Sequence, residues 1–173
     1  MFCSLAGLWV ALESGCGYRS LYGQPRAERL QVQVGQVLIP EALAVQSVAS
    51  GARSELSAAG MLATGGDGPR LVVDVLRVDE LSRGIHVQDG TSQPSAAGMS
   101  IAVTARGRVL RVGAPEPQLD TGDVRRAVQL SGDSDPRADS EAYDQAVRDA
   151  AERAGRAIAR AALGIPEPAD EAP

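Results

Sequence analysis

The side chains that could carry out catalysis are few in this sequence. His86 is the single histidine, and the two cysteines are Cys3 and Cys16. The serines form no Gly-x-Ser-x-Gly nucleophile turn, and one histidine in a predicted loop gives no basis for a Ser-His-Asp triad. A metal site needs three or four ligands, whereas only Asp89 is near His86 in the sequence. We therefore predict a protein that is not an enzyme, with no catalytic residue, no metal site and no cofactor.

Two other segments have some features of a ligand-binding loop. Residues 60–68 are rich in glycine but lack the Gly-Lys-Ser/Thr of a phosphate-binding loop, so we interpret them as a turn. Asp133 and Asp135 lie in a Ser-Gly-Asp-Ser-Asp-Pro segment that has neither the spacing nor the terminal Glu of an EF-hand. A weak Ca²⁺ site there is the less favoured alternative to a plain loop.

Arginine is the residue type whose distribution indicates binding. Seven arginines fall on or beside predicted strands: Arg77, Arg83, Arg106, Arg108, Arg111, Arg125 and Arg126. Arg106 and Arg108 project from the same face of one strand, and Arg125 lies near them if that strand pairs with the next. Guanidinium groups bind phosphate through two parallel hydrogen bonds, so this face is a candidate phosphate-binding surface. In the alternative interpretation the arginines keep the face soluble or pair with carboxylates, for which the candidates are Asp74, Asp79, Asp120 and Asp123.

Size and charge limit the classes of protein that remain. The chain has 173 residues, of which 44% are hydrophobic and 3% aromatic, so it can form one domain with a core of Val, Leu, Ile and Ala. Its net charge of −5 argues against a nucleic-acid partner, because binding to phosphate backbones needs a surplus of positive charge. No apolar run reaches the roughly 18 residues of a transmembrane helix.

The first sixteen residues have the pattern of an export signal. An apolar stretch covers residues 5–12, and small residues then precede Cys16. This order is typical of a secretory signal peptide, and a cysteine at its end is typical of lipoproteins, in which that cysteine becomes the acylated first residue. We predict a lipoprotein signal peptide over residues 1–15 and lipidation of Cys16. The alternative is a buried N-terminal strand or helix in which Cys16 has no special role.

Apolar periodicity predicts the elements that must position these residues. Residues 30–34 alternate apolar and polar, and a slip at Gly35 indicates a bulge or bend. A helical stripe covers residues 45–59, after Pro40 in the expected first turn, and ends at Gly60. Further strands are predicted at residues 71–78, 99–109 and 124–130, with a long connection over residues 84–98.

The last predicted helix has the most regular pattern. Its apolar stripe repeats every three or four residues through Tyr143, Val147, Ala150, Ala154, Ile158 and Ala161. Asp139 or Ser140 can cap this helix, and Gly164 ends it. The order β-α-β-β-β-α predicts an α+β fold with two helices packed on one face of a four-stranded, mostly antiparallel sheet. Residues 165–173 are predicted to be a disordered acidic tail.

The segment Cys16-Gly-Tyr-Arg-Ser-Leu-Tyr-Gly23 resembles the start of the mature chain in the LPS-assembly lipoprotein family, LptE. Members of that family typically begin with Cys-Gly-Phe or Cys-Gly-Tyr and continue through a short aromatic- and Leu-containing segment to a Gly. The family also has the order β-α-β-β-β-α. The resemblance covers roughly residues 16–164, of which only the octet is a specific motif.

This resemblance implies a non-enzymatic lipoprotein that lies inside LptD, a large outer-membrane β-barrel, where it acts as a plug and assembly factor. Such a protein helps deliver lipopolysaccharide to the cell surface. The implied organisation is an LptE-like domain over residues 16–164, anchored through Cys16 on the periplasmic side of the outer membrane of a Gram-negative envelope. Gly17 agrees with outer-membrane sorting, because Asp at that position is the usual inner-membrane retention signal.

The resemblance also gives the arginine face a ligand. Lipopolysaccharide carries phosphates on its lipid A and core, so Arg106, Arg108 and Arg125 are the expected contacts. On the sequence pattern these three side chains lie opposite the core, and they are expected to be dispensable for the fold. The alternative function is that of another envelope lipoprotein, an adaptor for an outer-membrane or peptidoglycan machine.

Overall fold

The four main strands form one sheet with two helices on one side. A computed structural model describes residues 28–82, 85–87, 94–96, 99–130 and 136–166, with the backbone alone at 82, 85–87, 94–96 and 136–139. The elements are β1 (Gln31–Val37), α1 (Ala42–Ala58), β2 (Arg70–Ser82), β3 (Ile85–Val87), β4 (Pro94–Ala96), β5 (Met99–Leu110), β6 (Leu119–Leu130) and α2 (Pro136–Leu163). The main sheet has the order β1-β2-β5-β6. The predicted α+β fold and its element order are therefore confirmed.

The pairing directions follow from the connections. β1 is parallel to β2, as expected for two strands joined through a helix. β2 with β5, and β5 with β6, are antiparallel, so the predicted meander is confirmed. The predicted long connection over residues 84–98 contains two short strands, β3 and β4, which pair as a separate two-stranded sheet.

A bulge interrupts β1 where the alternation of the sequence slips. Its register with β2 shifts between Val34 and Val37, which confirms the irregularity predicted at Gly35. Because β1 is parallel to β2, it starts at the end of the sheet where β5 finishes and β6 begins. α2 finishes at this end too, and Glu28 and Leu163 line one shallow groove of about 240 Å³. The two ends of the described chain are therefore neighbours.

Both helices stop in the same way. Gly60 and Gly164 each have a φ of +68°. At each helix end the N–H groups of this glycine and of the residue after it donate hydrogen bonds to carbonyl oxygens of the last turn. This is the glycine-based C-terminal cap that the sequence predicted. The starts differ from prediction, since α1 begins at Ala42, beyond Pro40, and α2 begins at Pro136, earlier than Asp139. Pro136 suits this position because a first-turn N–H has no helical partner.

The two helices contact each other almost backbone to backbone. A methyl group added at Gly155 would overlap the carbonyl oxygen of Val48, and one added at Gly51 would overlap the carbonyl oxygen of Glu152. A third close approach lies beneath α2, where a methyl group at Gly107 of β5 would overlap the side chain of Ile158. Glycines at these three positions allow α1, α2 and the sheet to approach closely in a chain with few large side chains.

The core lies between the helices and the sheet. Leu56, Ile101 and Ile158 are fully buried there, together with the inward valines of β2 and β5. Burial of one such side chain stabilises the folded state by about 1.5–3 kcal/mol. Arg160 of α2 forms an ion pair with Glu55 of α1 at the edge of this core, with 2.9 Å between Nε and Oε1.

Several sequence predictions concern residues that the structure does not describe. Residues 1–27, with the predicted signal peptide and Cys16, lie outside the described ranges, as do residues 167–173 of the predicted tail. Among the described helices, none is long and apolar enough to cross a membrane.

Candidate functional site

The side of the main sheet that faces away from the helices carries the candidate arginines. We call this side the outer face. Arg106 and Arg108 of β5 lie on it, opposite Asp123 and Asp120 of β6, and Arg125 lies opposite Thr104. β2 adds Asp74 and the pair Arg77–Asp79 to the same face. The fold thus brings the three predicted arginines onto one surface together with four aspartates.

Arg106 and Asp120 form a bidentate pair across β5 and β6. Arg106 Nε and Nη2 donate to Asp120 Oδ1 and Oδ2 at 2.8 and 2.6 Å. The Gly122 N–H also donates to Asp120 Oδ1, at 2.9 Å, within a bulge where Gly122 has a φ of +68°. Hydrogen bonds from Arg106, and then the one from Gly122, lower the pKa of Asp120 to about 2. The same partnership raises the pKa of Arg106, so the pair is ionised throughout the physiological range.

Arg108 neutralises a buried carboxylate. The side chain of Asp74 is 6% exposed, and Arg108 Nε and Nη2 both donate to its Oδ2 at 3.1 and 2.7 Å. The other oxygen, Oδ1, accepts the backbone N–H of Gln36 at 2.7 Å. Because a buried charge without partners is costly, this aspartate depends on both contacts. Arg108 therefore has a role in the fold, contrary to the expectation that all three arginines are dispensable.

The same aspartate explains the glycine in β1. A methyl group at Gly35 would overlap Asp74 Oδ1 and the side chain of Val72. The bulge turns the N–H of Gln36 toward Asp74, and the absence of a side chain at Gly35 leaves space for the carboxylate. Asp74 thus links three strands, because it is on β2 and contacts both β1 and β5.

Asp123 and Arg125 differ from the other charges of the outer face. Both are exposed, and in the described part of the chain neither forms an ion pair. Arg111, also named in the sequence prediction, lies at the end of the sheet and pairs with Glu28 at 3.6 Å. Arg126 projects to the helix side, opposite Val103. Among the described residues, the outer face therefore carries internal ion pairs, while Asp123 and Arg125 on its β6 border form none.

In the described part of the chain, no candidate catalytic or metal-binding residues come together. Within the described residues, no three His, Cys, Asp or Glu side chains come close enough to hold a metal ion. His86 lies on β3, but its side chain, like Asp89, Asp133 and Asp135, is outside the described part. Residues 63–69 line an open groove of about 620 Å³ together with Glu28, Arg29, Arg111 and Val112, a mixed set of charges.

Sequence reasoning missed the positioning roles of Asp74 and Thr121. Asp74 appeared only as a possible arginine partner, although it is the most buried charge described on this face. Thr121 Oγ1 accepts the N–H of Gly107 at 2.9 Å, which fills the gap left in the ladder by the bulge at Gly122. The one sequence signal for these roles was an acid and a glycine inside otherwise regular strand patterns.

Solved structures share this fold, whereas comparisons by sequence identify no family. No protein-family model matches the chain, and no curated protein matches it by sequence. The fold is similar to that of a proposed lipoprotein from Caulobacter crescentus CB15, with a TM-score of 0.52 and 13% identity over 78% of this chain and 88% of that chain. Rare lipoprotein B from Shewanella oneidensis gives a TM-score of 0.43 and 14% identity over 78% of this chain and 94% of that chain.

These values define what the comparison supports. At 13% identity the likeness to the Caulobacter protein shows a shared fold, and the lower TM-score of the Shewanella protein adds no argument. The class of protein is therefore an α+β domain with two helices on one side of a β1-β2-β5-β6 sheet and an ion-paired outer face.

Proposed function

We propose that this protein is a non-enzymatic outer-membrane lipoprotein of the LptE kind, which plugs an LptD-like β-barrel, assists its assembly and helps deliver lipopolysaccharide to the cell surface. The octet that begins at Cys16 supports the lipid anchor. The fold likeness to a proposed lipoprotein supports the coarser assignment to the cell envelope.

The observation that carries the plug role is the self-neutralised outer face. Arg106 with Asp120 and Arg108 with Asp74 hold their charges in pairs on the sheet itself. A domain inside the polar lumen of a barrel needs a closed core and a polar surface without a large unbalanced charge. The buried core meets the first requirement, and the paired charges of the outer face meet the second. The exposed polar side chains of this face can form hydrogen bonds with polar groups of a lumen wall in place of water.

The lipopolysaccharide part of the proposal concerns the donors that remain on the outer face. The bonds of Arg106 and Arg108 to aspartate use Nε and Nη2, so Nη1 of each has no partner among the described residues. Arg125 contributes a whole guanidinium group. A lipid A phosphate bound here would complete a network of charge-assisted hydrogen bonds without requiring an ion pair to open.

Purification from membranes tests the plug role. Affinity-tagged protein should be acylated at Cys16 by mass spectrometry and should co-purify with a large β-barrel protein. Cys16→Ala is the control for the anchor, because it should lose stable membrane association while the domain keeps its melting temperature. Recovery of a peptidoglycan synthase or an efflux component in place of a barrel would favour the adaptor alternative, and an unmodified Cys16 would contradict the anchor.

A binding titration tests the lipopolysaccharide part separately. Arg106→Gln with Arg125→Gln should weaken binding of purified lipopolysaccharide, and the wild type should lose affinity as salt rises, since salt screens exposed charges. Arg156→Gln is the matched control, because Arg156 is on α2, away from the outer face, and is also an arginine paired with a carboxylate. Equal affinity of all three proteins would remove the arginine face from the mechanism. Arg108 is left in place because its loss would leave Asp74 without its charge partner.

A further inference from the structure

The border of the sheet formed by β6 has no partner within the described residues. β6 is the last strand in the order β1-β2-β5-β6, and it pairs only with β5. It is twelve residues long, Leu119–Leu130, which is long for an edge strand. An edge of this kind presents a row of backbone N–H and C=O groups that can pair with another strand.

The charges along this edge are arranged differently from those inside the face. Arg106–Asp120, which joins β5 to β6, and Arg108–Asp74, inside the face, are already paired. Asp123 and Arg125 are exposed and form no ion pair among the described residues. Both lie on the outer face, and Val124 between them lies on the helix side. In an antiparallel pair formed by two identical strands, a twofold axis at Val124 places Asp123 of one strand opposite Arg125 of the other. The same twofold axis places Arg125 of the first strand opposite Asp123 of the second.

We propose that β6 pairs with β6 of a second copy of this chain, antiparallel and centred on Val124, to form a dimer with a continuous eight-stranded sheet. Two Asp123–Arg125 pairs would then lie across the junction on the outer face. Opposite charges directly across a strand pair stabilise it, and like charges destabilise it. The interface is isologous, so both edges are satisfied at once and the assembly closes as a dimer.

The helix side of the edge matches the same register. The bulge at residues 121–122 places two residues opposite Gly107, so Asp120 returns to the outer face and Leu119 to the helix side. In the dimer Leu119 lies opposite Val128 of the other copy. Leu119 is 37% exposed although it is a large apolar residue, and Val128 is half-buried. Pairing therefore covers apolar surface on one side of the sheet and neutralises charge on the other.

The proposal does not depend on the proposed function and is tested without a barrel protein or lipopolysaccharide. The measurement is the molar mass of the purified full chain over a concentration series, by sedimentation or light scattering, under reducing conditions that exclude disulfides of Cys3 and Cys16. The mass should rise toward twice the monomer value with concentration. Arg125→Asp should raise the dimer Kd about tenfold or more, because each junction pair then becomes two facing aspartates.

A charge exchange provides the decisive variant. Asp123→Arg combined with Arg125→Asp restores opposite charges across the twofold axis and should restore the dimer. Arg77→Asp makes the same change in net charge away from the edge and should leave the Kd unchanged within about twofold. Thermal melts of the monomer check that each variant folds. A mass that stays monomeric at every concentration, or a Kd that Arg125→Asp does not alter, would overturn the proposal.

Discussion

The helix side and the outer face of the main sheet are stabilised in different ways. On the helix side, Ile101 and Ile158 are fully buried, and Gly51 and Gly155 let the two helices touch through their backbones. On the outer face, ion pairs join the strands, and only the pair at Asp74 is buried. The uncharged residues Val72, Ser100, Ala102 and Thr104 on this face are buried as well. In a protein with 3% aromatic residues, close approach through small residues replaces the bulk that Phe and Trp usually supply. The helix side should therefore tolerate little change, and the exposed charges of the outer face should tolerate more.

Ile158→Asp should have the largest effect and unfold the domain. Ile158 is 0% exposed, and burial of an unpaired carboxylate costs several kcal/mol, comparable with the 5–15 kcal/mol stability typical of a domain. Arg156→Ala is the control, because Arg156 is about one-third exposed and pairs only with Glu152, at 3.7 Å. Circular dichroism melts measure both. Equal stability of the two variants would contradict the assigned face of α2.

Gly155→Ala should come next, with a loss of about 2–3 kcal/mol in the free energy of unfolding. The added methyl group overlaps the Val48 carbonyl oxygen and forces the helices apart, which outweighs the gain of about 1 kcal/mol in helix propensity. Gly65→Ala is the matched control, since a methyl group there meets nothing within 4 Å, and it should change stability by less than about 0.5 kcal/mol. Urea titrations compare the two. A neutral Gly155→Ala would mean that the helices are not held at this distance.

Within the outer face, Arg108→Met should cost more than Arg106→Met. Loss of Arg108 leaves Asp74 buried with one partner fewer, which should cost about 2 kcal/mol. Loss of the exposed Arg106–Asp120 pair should cost less, because solvent screens exposed charges. Adding Asp74→Asn to Arg108→Met should recover part of the loss by removing the charge. If both single variants lose the same amount of stability in urea, burial does not separate the two pairs.

The smallest effect should be the dependence of stability on pH at Asp120. Its pKa is lowered to about 2 in the folded state, so its contribution is fully present above the ordinary value near 3.8 and is lost as the pH falls through about 2. Asp120→Asn should lower the melting temperature slightly at pH 7, and the difference from wild type should shrink toward pH 2. A difference that stays constant over that range would show that the ionised pair adds nothing to stability.

The regular elements could be predicted because their patterns are local. The stripe through Ile158 and the alternation of β5 each lie within one segment, and Gly60 and Gly164 end helices by local geometry. The exact partners could not be predicted, because they depend on register between distant segments. Asp74 meets Arg108 from 34 residues away and the Gln36 N–H from 38 residues away. Nothing in the sequence near Gly155 indicates that Val48 lies against it.

The outer face shows the same division. Apolar and polar residues alternate along these strands, and this alternation predicts that Arg106, Arg108 and Arg125 lie on the face opposite the core. Which arginine is bound to which carboxylate depends on the bulge at Gly122, which shifts β6 so that Asp120 lies opposite Arg108 but pairs with Arg106. Bulges are set by backbone geometry, and the sequence gives only a glycine as their sign.

The parallel β1 strand also decides which end of the domain is connected to the predicted lipid anchor. Glu28 begins the described chain beside Leu163, at the end of the sheet where β1 starts. If Cys16 carries the lipid, eleven residues, 17–27, lie between the anchor and Glu28, a tether with a maximum length of about 40 Å. This end of the domain would then be attached to the bilayer, and the end with the exposed Leu38 would be the far end. Shortening or lengthening the segment between Cys16 and Glu28 would then change how far the whole domain can reach without altering its fold.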